Sequence, residues 1–252
     1  TVEALHLLAE RATQMDQRLL WIANAILPIL SEYVADQALA AVKALSLHLS
    51  ISHLTLQELA LRRPVELSEL LLTLQERAQV DFSRRIEALP LERITALIEA
   101  GYLSVSTFSG WGAKLEPVVR AELFHRFGIG WRDANGVIPF EALELLPREL
   151  RENEARRHLS IPSFVTEPKQ RMPYAALLSW EEALDELTPY LRNADAELRA
   201  TAWTPLIGAV KYHRDRLAEV LAMLIARRNE QDPVRGAFLN ALADLPPGMW
   251  RT

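Results

Sequence analysis

Proline placement constrains this chain more than any other feature. Pro64, Pro90, Pro117, Pro147 and Pro233 each stand where an apolar series with helical spacing begins. A missing N–H removes no hydrogen bond at the start of a helix. The series themselves are regular. Leu19, Leu20, Ile22, Ala23, Ile26, Leu27 and Leu30 follow i, i+3, i+4, i+7 spacing within residues 16–34, and Leu39, Val42, Leu45 and Leu49 do so within 35–49. The pattern returns in residues 91–100, 118–127, 181–191 and 217–226. Gly101, Gly128 and Gly136 fall where helices or turns end. No segment alternates β-branched residues as a half-buried strand does. The expected fold class is all-α. Two stretches read as longer loops: residues 128–136, which end in an Asn-Gly turn signal, and residues 160–173, which carry Pro162, Pro168 and Pro173 with little apolar periodicity.

Composition narrows the classes further. Half of the 252 residues are hydrophobic, enough to bury a sizeable core, and only nine are glycine. No apolar run reaches the roughly 18 residues of a membrane span; the richest, 19–30, is interrupted by Asn24 and Pro28. Residues 2–8 contain Glu3 and His6 with no basic stretch before them, so no signal peptide is expected there. The absence of cysteine excludes disulfides, thiolate metal sites and cysteine nucleophiles, and suits a cytoplasmic location. With 28 basic and 33 acidic side chains, there is no overall drive toward nucleic acid or anionic lipid. The acidic excess lies in residues 1–147, with 18 acidic to 13 basic groups; residues 148–252 carry 15 of each.

A short pattern repeats along the chain: an acid, two residues, an aliphatic and an arginine. It appears at Glu116…Val119-Arg120, Glu152…Ala155-Arg156 and Asp195…Leu198-Arg199, and again, with Asp232 one residue late, at Val234-Arg235. Arg120 and Arg156 are 36 residues apart, as are Arg199 and Arg235. Weaker copies are Asp81…Arg84-Arg85 and Asp36…Leu39-Ala40. Together with Ile26-Leu27-Pro28-Ile29-Leu30 and Leu187-Thr188-Pro189-Tyr190-Leu191, these copies resemble HEAT repeats. In that family the first helix of a pair carries a proline, and an Asp-containing turn leads to Val-Arg in the second. The resemblance implies an α-α superhelix, a HEAT-like solenoid of about six irregular helix pairs, because a pair that cannot bury its apolar faces alone stacks on the next. It also implies a structural ladder in which Arg120, Arg156, Arg199 and Arg235 reach turn acids such as Asp195. Residues 1–252 are then a single repeat domain, expected to be a piece of a longer solenoid, with a subdivision into irregular repeats over 1–160 and regular ones over 174–252.

Motifs that carry chemistry are not apparent. The histidines His6, His48, His53, His125, His158 and His213 form no HExxH pair, so no metal site is expected. Gly128-Ile129-Gly130 is followed by Asp133 where a dinucleotide fingerprint needs glycine, and Asp133-Ala134-Asn135-Gly136 lacks the later ligands of a calcium loop. No catalytic residue and no cofactor are assigned. Two groups remain. Basic residues of the C-terminal half, among them Arg157, Lys211, Arg214, Arg227 and Arg228, form either a solvated helix face or a stripe that receives an acidic peptide. Trp111, Trp131, Trp180, Trp203 and Trp250 read as core or anchor residues before ligand cage.

The favoured expectation is a non-enzymatic interaction scaffold that presents a concave helical surface to a protein or peptide. The competing class is a nucleic-acid-binding HEAT-like protein, including a DNA glycosylase-like enzyme in which Trp180, Trp203 and Asp195 line the base site. The acidic balance disfavours it.

Overall fold

A computed structural model describes residues 17–47, 50–74 and 76–250. His6, Asp16, His48 and Leu49 lie outside the described residues, as do the side chain of Leu19 and the stretch 2–8. The protein is all-α: the described residues form fifteen α-helices and seven 3-10 turns and include no strand. The chain divides into two compact units, Thr1–Gly130 and Trp131–Thr252, so the boundary falls within the 128–136 stretch.

The first unit contains α1 (Gln17–Tyr33), α2 (Ala35–Leu45), α3 (Gln57–Arg62), α4 (Pro64–Thr73), α5 (Leu91–Glu99), α6 (Phe108–Trp111) and α7 (Pro117–Phe127). Helix α1 buries Ala23 and Leu27 against α2 and α3, and leaves Trp21, Ile29 and Tyr33 exposed. Asn24, which interrupts the apolar run in sequence, is a clamp. Its amide donates to the His53 carbonyl at 2.7 Å and accepts from the Thr55 N–H at 2.6 Å. Gln57 and Asp81 are joined by a similar reciprocal pair at 2.9 Å. These side-chain-to-backbone bonds satisfy loop groups that short helices cannot reach. Helix α5 ends in a Schellman motif: Tyr102 N–H donates to Leu97 and Gly101 N–H to Ile98, with Gly101 at φ 75°.

The second unit contains α8 (Phe140–Glu144), α9 (Arg148–Leu159), α10 (Pro162–Thr166), α11 (Pro168–Ala175), α12 (Trp180–Leu191), α13 (Ala196–Ala209), α14 (Leu217–Ala226) and α15 (Asp232–Ala243). Its core gathers Trp180, Leu187, Trp203, Leu206, Val220, Val234 and Phe238, with α13 packed on α11, α12 and α15. Helix α12 starts with a capping box in which Ser179 accepts from the Glu182 N–H and donates to its carboxylate. Residues 160–173 differ from the expected loop. Pro162 and Pro168 each open a short helix in the first turn. The expectation took these prolines as breakers, whereas in the first turn they are starters. The prolines expected to open helices do so. Pro64, Pro117 and Pro233 occupy the first turn, and Pro90 and Pro147 immediately precede one.

The arginines expected to form a ladder are placed as follows. Arg199 lies nine-tenths buried and bonds the carbonyls of Asn193 and Ala194 and, across 31 residues, Glu230. Arg156 makes a bidentate pair with Glu182, 26 residues on, and holds the Glu182 carboxyl down to about 2. Arg235 pairs with Asp232 of its own turn. Arg120 forms no ion pair among the described residues, and its Nε is buried without a partner. Asp195 caps α13 by accepting from the Glu197 N–H at 2.8 Å and meets no arginine. Of these four arginines, the two that reach another helix, Arg156 and Arg199, end on glutamates, whereas Arg63, outside the ladder, reaches Asp36 across 27 residues. A helix N-cap engages a short aspartate locally, while a longer side chain spans the gap.

An apolar cleft with a charged end

The 133–138 turn leads into α8, one of the helices that line a cavity of the second unit. Asp133 Oδ1 accepts from the N–H groups of Asn135 and Val137, both at 2.8 Å, and Gly136 takes φ 78°. This Asx-type turn delivers Ile138 to a clamp. The Ile138 N–H donates to His158 Nε2 at 2.8 Å, and the Ile138 carbonyl accepts from the Tyr174 hydroxyl at 3.0 Å. The two rings stack with centroids 4.7 Å apart. Because Nε2 accepts, the proton sits on Nδ1, which donates to the Glu154 carbonyl at 2.7 Å. The clamp sets the start of α8, and with it Phe140 and Glu144.

His158 is fully buried, and burial holds its pKa below the usual histidine value. Arg157, with Nη2 3.4 Å from the ring nitrogens, acts in the same direction, while the Glu154 carbonyl opposes it. The unfolded chain takes up this proton near pH 6.5, the folded chain only lower. The stabilisation is therefore complete above about pH 6.5 and is lost as pH falls through the folded pKa. The expected result is a stability slope between pH 7 and 5 that is shallower in His158→Gln than in the wild type. The difference is at most about 1.4 kcal/mol per pH unit, read by urea titration across pH. Equal slopes would remove the clamp as the acid-sensitive element.

The cleft itself encloses about 460 Å³. One wall is a single face of α13, where Thr201, Thr204, Pro205 and Gly208 stand at i, i+3, i+4 and i+7. Small residues at that spacing keep the wall recessed, and a Cβ built on Gly208 meets nothing within 4 Å. Pro173 and Ala176 form the opposite side, and Phe140 contributes an aromatic surface. The hydroxyls of Thr201 and Thr204 donate to the carbonyls of Glu197 and Ala200 in their own helix. The cleft is therefore apolar along most of its length.

Its far end is charged. Glu144 accepts from the Tyr212 hydroxyl at 2.7 Å, and Lys211 Nζ stands 3.9 Å from the same carboxylate oxygen. Arg151 lies over the Tyr212 ring, 4.1 Å from its centre, as a cation–π pair. Arg151 is 8% exposed, and its Nε has no hydrogen-bond partner. Burial lowers the Arg151 pKa from its ordinary value. Burial, with the Glu144 hydrogen bond, raises that of Tyr212, so Tyr212 is a neutral donor at neutral pH.

The basic residues singled out in the sequence are distributed among different surroundings. Lys211 lines the cleft. Arg157 is engaged by Glu154 at 2.6 Å. Arg214 donates to the Gly248 carbonyl at 3.0 Å. Arg227 bonds the Leu191 carbonyl and Glu230 and lines a smaller hollow of about 230 Å³ with Trp203 and Met223. Arg228 is exposed. Arg157 and Arg227 are thus already paired with carboxylates, and Arg214 is hydrogen-bonded to a carbonyl. Trp111, Trp131, Trp180 and Trp203 are buried and Trp250 is 48% exposed. Trp180 and Trp203, at 3% and 1% exposure, present no ring face on which a base could stack, and Asp195 is occupied as a helix cap. Arg151 belongs to the basic set of the C-terminal half, whereas Glu144, Gly208 and Tyr212 were not marked as site residues. The small-residue face 201–208 was the available signal. Among the described residues no group of three or more His, Asp or Glu is placed to hold a metal ion, and no described helix is long and apolar enough to cross a membrane.

Comparison with models of known protein families, with curated proteins and with solved structures found no match to this chain.

Proposed function

We propose that this protein is a non-enzymatic interaction module of HEAT-like helical construction, and that the cleft along α13 receives an apolar anchor of a protein or peptide partner. The observation that carries this reading is the cleft itself: apolar walls from Pro173, Ala176, Pro205 and Gly208, closed at one end by Lys211, Tyr212 and Glu144. Sites of this make-up use apolar surface for affinity and a few polar groups for orientation. The repeat of acid, aliphatic and arginine supports the HEAT-like reading, and so do the Arg156–Glu182 and Arg199–Glu230 pairs between successive helical layers. A cytoplasmic setting is part of the same reading, in keeping with the lack of cysteine.

Gly208→Leu tests it. The added side chain enters open space, and replacing a helix-interior glycine favours the helix by up to about 1 kcal/mol, so the variant is expected to fold at least as well as the wild type. Affinity capture with the full chain supplies a partner, which is then purified and titrated against both chains. The expected result is weakening by about tenfold or more in Gly208→Leu, the loss of one buried anchor. Equal affinity would place the partner elsewhere and overturn the assignment of the cleft.

A further inference from the structure

The lining of the charged end holds one carboxylate, Glu144, and one ammonium, Lys211, and a further cation, Arg151, lies against the Tyr212 ring that lines it. Glu144 is the one acidic residue in the lining, and it is shared by the Tyr212 hydroxyl and Lys211. The next carboxylate along α9, Glu152, is held by Arg148 at 2.7 Å and approached by Arg156 at 3.6 Å. Arg151 therefore sits nine-tenths buried against an aromatic ring, with Glu152 and Glu144 acting on it at longer range and no carboxylate hydrogen-bonded to it among the described residues. A buried guanidinium is ordinarily paired or fully hydrogen-bonded, because desolvating it alone is unfavourable. Lys211, about one-third exposed and 3.9 Å from Glu144, keeps N–H groups free to turn toward the cleft.

We infer that the cleft recognises an acidic, apolar-anchored peptide segment. A large apolar side chain lies along the 201–208 face of α13, and an adjacent Asp or Glu carboxylate pairs with Lys211 in the field of Arg151. This inference rests on the cleft being the binding site. One feature favours a peptide over a free carboxylate: the lining runs along α13 from Thr201 to Tyr212, room for a stretch of chain rather than for a single head group. A basic segment is disfavoured, since it would set a third cation beside Lys211 and Arg151 with Glu144 already engaged.

The test is selection of a random peptide library on the full chain, counter-selected on Gly208→Leu, followed by titration of synthetic peptides. Peptides with a large apolar residue within two positions of Asp or Glu are expected. Their affinity falls about tenfold or more on Lys211→Glu. Replacing the peptide's acid with its amide weakens binding to the wild type, leaves binding to Lys211→Met nearly unchanged and strengthens binding to Lys211→Glu, where it relieves repulsion. Lys211→Met, a milder change at a partly exposed position, repeats the loss in case the reversal disturbs folding, which circular dichroism reports. A consensus with basic or uncharged flanks, or equal binding to the Lys211 variants, overturns the carboxylate inference and leaves the cleft assignment standing. If no peptide is lost on Gly208→Leu, both fall. Lys211-dependent binding of decanoate without any selected peptide assigns the site to a small amphipathic carboxylate and overturns the peptide reading.

Discussion

Replacing Trp203 with alanine is expected to lower the stability of the second unit by about 3–5 kcal/mol, the usual range for an aromatic core residue truncated to a methyl. Trp203 is 1% exposed, meets Phe238 edge to face at 5.1 Å, and stands on the side of α13 that binds the unit together. The companion substitution separates packing from polarity. The indole Nε1 of Trp203 is buried without a hydrogen-bond partner. Trp203→Phe keeps much of the ring volume and removes that unmet donor, two effects of opposite sign. Its loss should stay below about 1.5 kcal/mol, and urea titration of the two variants gives the comparison. A phenylalanine variant as unstable as the alanine one would mean that the indole N–H is bonded after all.

The second large effect is expected at Arg199. Its guanidinium joins three points: the Asn193 and Ala194 carbonyls at 2.8 and 2.9 Å, and Glu230 at 3.0 Å. The turn before α13 is thereby tied to the turn before α15, with both charged side chains about nine-tenths buried. Arg199→Ala leaves two carbonyls without their donor. Glu230 retains Arg227, so the loss should fall toward the lower part of the range for breaking a buried pair, about 2–4 kcal/mol. Arg199→Lys should recover only part of it, because an ammonium cannot reproduce the planar fork that reaches both carbonyls and the carboxylate. If Arg199→Ala were neutral, the pair would be no more than a solvated surface bridge. Thermal melting of Arg199→Ala, Glu230→Gln and the double variant shows whether the two residues act together.

The helices were largely legible because local chemistry sets them. Pro64, Pro117 and Pro233 marked first turns, and Gly101 marked a helix end that the Tyr102 and Gly101 N–H bonds then complete. Residues 160–173 were misread because helices of five and eight residues show too little periodicity to outweigh three prolines. The arginine pattern was visible, but its partners were not. Glu182 and Glu230 lie 26 and 31 residues from Arg156 and Arg199, and only the stacking of helices chooses between them and Asp195. Lys211 was marked among many cations, yet the cleft around it draws on α8, α11 and α13, each more than 20 residues from the next. The one local sign was a glycine inside an apolar helix, Gly208, flanked at helical spacing by Thr201, Thr204 and Pro205. In sequence that reads as a weak helix, and in three dimensions it is a recessed wall.

The claim that the α13 face is where a partner docks is tested most directly by amide hydrogen exchange of the full chain, with and without its purified partner. Slowed exchange is expected in residues 201–212 and 174–176, with little change along α7. Protection confined to other helices, with exchange in 201–212 unaltered, would contradict it.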